Sequence, residues 1–104
     1  MSDLNPERIV VTIDPDLLEI IPDFFAYRLK DLEMISRSLK EGDFNKLRII
    51  GHNLKGSGGG YGFDVISEIG ERIEQASEIG SVEEITACAA ELEDYLRRVE
   101  VRYA

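Results

Sequence analysis

The sequence predicts an all-α fold: an antiparallel up-down-up-down four-helix bundle preceded by a short N-terminal arm and helical turn. Apolar residues recur at helical spacing through four successive segments. Short turns, most of them containing glycine, separate those segments. Strand-like character is confined to one brief run near the start, Ile9-Val10-Val11-Thr12-Ile13, with no second strand evident to pair with it. At 104 residues the chain is one domain. It divides into an extended arm over residues 1–15 and a helical bundle over residues 16–104.

The elements follow in order. Met1 to Thr12 reads as an extended arm packed along the bundle, because an isolated strand is marginal in water. Asp14-Pro15 is a helix-start signal, Asp as cap and Pro at the first helical position, so Asp16 to Glu19 forms a short helical turn. The first long helix runs from about Pro22 to about Glu41, with Phe25, Leu29, Leu32, Ile35 and Leu39 on its buried face and Phe24 and Tyr27 off its centre. Gly42-Asp43 ends it and caps the second helix, Phe44 to about Gly60. Asp64 is the expected cap of the third helix, about Val65 to Glu78, whose stripe is Ile66, Ile69, Ile73 and Ala76. Gly80 stops that helix, and Ser81-Val82-Glu83-Glu84 reads as a capping box. The fourth helix continues to about Arg102 on a stripe of Ile85, Ala89, Leu92, Leu96, Val99 and Tyr103.

Charge narrows the function. The chain carries 21 acidic against 12 basic side chains, a net −9 with a pI near 4.5. Nucleic acid and anionic membrane surfaces both call for an excess of Lys and Arg, so neither is an expected partner. No run approaches the roughly 18 apolar residues of a membrane span, and the acidic N-terminus lacks the basic start of a signal peptide, so the expected location is cytoplasmic. The single cysteine, Cys88, has no partner for a disulfide and reads as a small core or boundary residue. One histidine and no cysteine cluster argue against a metal site. Gly51-x-x-x-x-Gly56-Ser57 lacks the lysine of a phosphate-binding P-loop.

The distinctive stretch is Gly51-His52-Asn53-Leu54-Lys55-Gly56-Ser57-Gly58-Gly59-Gly60-Tyr61-Gly62. Leu47, Ile50 and Leu54 define the buried stripe of its helix, and at about 100° per residue His52 lies roughly 165° away, on the solvent face. Arg48, Lys55 and Gly56 stand at i−4, i+3 and i+4 around it. An exposed neutral imidazole is a nucleophile. A lysine one turn away offsets an anionic group on the ring, and a glycine there leaves room for another molecule. Gly58 and Gly59 extend that bare surface. A lone surface histidine is ordinarily just solvated, and a glycine cluster can simply end a helix. The joint pattern is what raises this stretch above those readings.

His52-x-x-Lys55-Gly56-Ser57, with Gly62 ten residues after the histidine, resembles the signature of histidine-containing phosphotransfer (HPt) domains. The resemblance covers the chain from about Ile20 onward. It implies that His52 is phosphorylated by a receiver-domain phospho-aspartate or a sensor kinase and passes the group to a response-regulator aspartate. It further implies that Lys55 neutralises charge, that Gly56 is where the receiver packs closest, and that Gly62 lies at the turn into the next helix. Arg48, Ser57 and Gly59 are then expected partner-binding positions. Gly58-Gly59-Gly60 stands where the family more often carries Ser or Ala. The expected partners are response-regulator receiver domains or a hybrid sensor histidine kinase. The chain itself is expected to be a monomeric phosphocarrier without an ATP site or cofactor, the Mg²⁺ being supplied by the receiver. Two rival readings stay open: a non-phosphorylated helical adaptor using the same face, and a substrate domain phosphorylated directly by a kinase's ATP-binding domain.

Overall fold

The computed structural model describes residues 7–104, so the first half of the expected arm lies outside the described residues. The order of elements is β1 (Ile9–Ile13), a 3₁₀ turn (Pro15–Leu17), α1 (Ile21–Glu41), α2 (Phe44–Tyr61), α3 (Asp64–Glu78), α4 (Val82–Arg98) and β2 (Val99–Tyr103). The four helices enclose one core, with α1 against α2 and α4, and α3 against α2 and α4.

Local sequence explains most boundaries. Asp14 Oδ1 accepts from the Asp16 amide at 2.9 Å and Pro15 opens the 3₁₀ turn, as the cap signal predicts. Gly42 adopts φ 66°, ending α1 in the left-handed conformation that glycine takes without strain. Asp43 Oδ1 accepts from the Lys46 amide at 3.0 Å, capping α2. Ser81 caps α4 through the Glu84 amide at 3.3 Å. The reciprocal half of the expected capping box is missing, because the Glu84 carboxylate is taken by Arg72 at 3.1 Å and the Ser81 amide bonds to the Ala76 carbonyl. Asp64 does not cap α3. It is the first helical residue, favourable there by charge, and Phe63 occupies the cap position.

Two further expectations fail for identifiable reasons. The fourth helix stops at Arg98, and Val99–Tyr103 pairs in parallel with β1, Ile9 opposite Val99 and Ile13 opposite Tyr103. The strand that pairs with β1 therefore lies at the far end of the described residues. Positions 92, 96, 99 and 103 fit a helical stripe, but Val99, Val101 and Tyr103 fit a two-residue period equally well, and β-branched and aromatic residues favour the strand.

The second failure is on α1. Leu29, expected inside, is 56% exposed, whereas Phe24 is only 5% exposed. The Phe24 ring stacks on Phe63 at 5.1 Å between centroids and meets Tyr61 edge-on at 5.1 Å. The inward line of α1 runs through Ile21, Phe24, Ile35 and Ser38. Arg28 and Asp31 occupy its middle, half-buried and joined at 2.7 Å. Two polar residues at the centre of the stripe hide it from a periodicity reading. Burial, opposed by the Arg28 charge and hydrogen bond, raises the Asp31 carboxyl above its ordinary value.

Candidate functional site

His52 projects from α2 on the side opposite buried Leu47, Ile50 and Leu54, and its side chain is 68% exposed. Its Nδ1 lies 3.2 Å from Oε2 of Glu74 on α3. A neutral ring that donates Nδ1–H to that carboxylate keeps its Nε2 lone pair facing water. Nδ1 needs a partner to fix the tautomer of the ring. The structure supplies Glu74.

The contact depends on how closely α2 and α3 pack. A Cβ on Gly51 would stand 2.6 Å from the Glu74 amide nitrogen and 2.8 Å from the Gly70 carbonyl oxygen. A Cβ on Gly70 would collide with the Lys55 amide and meet the Gly51 carbonyl oxygen at 2.7 Å. Gly58 leaves no room either, since a Cβ there would stand 2.6 Å from the Ser67 amide nitrogen. Between these points, Ser67 Oγ donates to the Lys55 carbonyl at 2.9 Å. With no side chain at these glycines, the backbones approach directly there, and Glu74 is carried to the residue after Gly51. The reading of Gly58 as part of a bare surface is thereby corrected: it is buried against α3. A Cβ on Gly59 would make only an ordinary 3.6 Å contact with Ser67 Oγ across the seam.

The other predicted residues fall in three places. Gly56 has nothing within 4 Å of where a Cβ would be, so the surface one turn from His52 is open. Lys55 is beside that opening, with Nζ 3.7 Å from Glu71 Oε1. Arg48 is exposed and donates to Asn45 Oδ1 at 3.0 Å. Ser57 turns toward α1 instead, accepting from Arg28 Nη1 at 3.0 Å. It lines a groove of about 390 Å³ with Ile20, Phe24, Tyr27, Arg28 and Tyr61. Gly62 takes φ 89° at the turn into α3, where glycine is the residue that fits.

Electrostatics divide across the site. α2 carries Lys46, Arg48 and Lys55 and no carboxylate, while α3 carries Asp64, Glu68, Glu71, Glu74 and Glu78 against Arg72 alone. From sequence, neither Glu71 nor Glu74 is singled out as a site residue. The signal available was Gly70, a glycine inside an otherwise helical stripe, next to Glu71 and four residues before Glu74. Among the described residues no group of three or more His, Cys, Asp or Glu side chains could hold a metal ion, and no helix is long and apolar enough to cross a membrane. Cys88 is fully buried, as expected of a core residue.

The sequence profile described as the Hpt domain matches residues 19–102. The chain belongs to the Hpt domain family. No curated protein and no solved structure matches it. Hpt domains are phosphocarrier modules of two-component signalling that work with receiver domains and kinases. The Hpt match covers all four helices and most of β2.

Proposed function

We propose that this Hpt domain is a phosphorelay intermediate and that His52 carries the phosphoryl group. The observation that carries the reading is an exposed His52 whose Nδ1 pairs with Glu74, one helical turn from the open position at Gly56. In the forward step Nε2 attacks the phosphorus of a receiver's phospho-aspartate in line. The N–P bond forms, the O–P bond breaks, and the aspartate leaves as a carboxylate. The same surface then presents the group to a response-regulator aspartate. Lys55 offsets the charge gained on the ring, and Gly56 gives the receiver room to approach. Mg²⁺ belongs to the receiver's acidic cluster in this scheme, and positioning with electrostatics does most of the chemistry.

Arg48 and Gly59 border the same exposed surface of α2 as receiver contacts. Ser57 would contribute from the α1 side, through the groove it shares with Phe24 and Tyr27. The reading includes an up-down-up-down antiparallel order. Short connections support it, as does the pairing of His52 with Glu74 and Lys55 with Glu71 across α2 and α3. A cytoplasmic monomer is the simplest form such a carrier takes.

The test is transfer from ³²P-labelled receiver domains to the wild type and to His52→Gln. Acid-labile, base-stable label on the wild type and none on the variant is the expected result. An unlabelled wild type across a broad receiver panel would overturn it and favour a non-phosphorylated helical adaptor.

A further inference from the structure

Lys55 is assigned above to meet the arriving phosphoryl group, yet its ammonium already faces a carboxylate. Nζ lies 3.7 Å from Glu71 Oε1, and the two side chains are 45% and 50% exposed. Lys55 follows His52 by three residues on α2, and Glu71 precedes Glu74 by three on α3. One helical turn therefore separates two cross-helix pairs, His52 with Glu74 and Lys55 with Glu71. Lys55 is the only cation among these four side chains when the ring is neutral.

We infer that Glu71 competes with the phosphoryl group for Lys55 and so sets how readily His52 accepts it. This rests on the reading of His52 as the acceptor. When the Nε2 lone pair takes the phosphorus, the donor's bond to phosphorus breaks and its electron pair leaves with the donor. The ring proton stays at Nδ1 beside Glu74. The ring now bears a doubly charged anionic group one turn from Lys55. As the ammonium swings to that group its pairing with Glu71 weakens, and the carboxylate is left near a like charge. A neutral amide at position 71 removes both the competition and the repulsion. Glu71 is thus a positioning residue acting through Lys55, and it biases the carrier toward holding its phosphoryl group weakly, as a relay requires.

The test uses phosphoramidate as a small donor and intact-mass measurement of the phosphorylated fraction over time. Wild type, Glu71→Gln, Lys55→Gln and the Lys55→Gln/Glu71→Gln pair are compared, with Glu93→Gln on α4 as a control for the same change in net charge. Glu71→Gln is expected to raise acceptance about two- to fivefold, the range that loss of one exposed ion pair supports. The gain should vanish in the Lys55→Gln background and shrink as ionic strength rises. Unchanged acceptance in Glu71→Gln would overturn the inference. So would a gain that persists without Lys55, or one matched by Glu93→Gln. If no variant, wild type included, takes a phosphoryl group while His52 remains intact, the acceptor reading itself falls.

Discussion

Cys88 shows how strongly one residue's surroundings can decide its chemistry. Burial, ahead of the neighbouring charges, pushes its thiol from 9.0 up to about 11. The Arg72 charge opposes that rise, and the Glu84 carboxylate, 3.8 Å from the sulfur, reinforces it. A folded-state pKa above the unfolded one gives a stability contribution that is complete below about pH 9 and is lost as pH rises through about 11. Urea midpoints of the wild type should therefore fall more steeply over that alkaline window than those of Cys88→Ala. The thiol should also resist iodoacetamide at about pH 8 until the protein unfolds. Parallel midpoint curves or rapid native alkylation would contradict this account.

At the scale of elements, the glycines separate into opposite classes. Gly51, Gly58 and Gly70 fill the seam between α2 and α3, whereas Gly56 and Gly60 have open space where a side chain would stand. Gly70→Ala should destabilise the fold by about 1–3 kcal/mol through overpacking. Gly60→Ala should stabilise it by about 0.5–1 kcal/mol, since alanine is the better helix former. Chemical denaturation of both variants reads the two signs directly. The polar pairs across this seam explain what the sequence could and could not disclose. The His52 face and the core line of α3 follow from periodicity, whereas on α4 the buried line is Ile85, Cys88, Leu92 and Tyr95, and only Ile85 and Leu92 of the expected stripe lie on it. Glu74 does not follow from periodicity, because a carboxylate twenty-two residues away reaches the ring only through tertiary packing. Arg28, which holds Ser57, was hidden for the same reason.

Across the whole molecule, the strand pair closes the bundle by joining the first described element to the last. Ile13 is buried, and Ile9, Val11, Val99, Val101 and Tyr103 pack partly against the core. Removing residues 99–104 should cost about 2 kcal/mol or more by exposing these side chains. The far-UV helical signal should stay nearly constant while the urea midpoint falls. A matching loss of helical signal would mean that α4 extends into this segment. The strand was illegible because its apolar residues satisfy both periods, and only its distant partner in β1 decides between them.

The parallel sense of that pair has a mechanical meaning. Because Ile9 stands opposite Val99 and Ile13 opposite Tyr103, tension applied before Ile9 and beyond Tyr103 would drag the two strands past each other along their length. The ladder bonds would then be loaded together in shear instead of parting one at a time. A carrier tethered at both ends would keep its helices in register under strain, with the two strands acting as a latch.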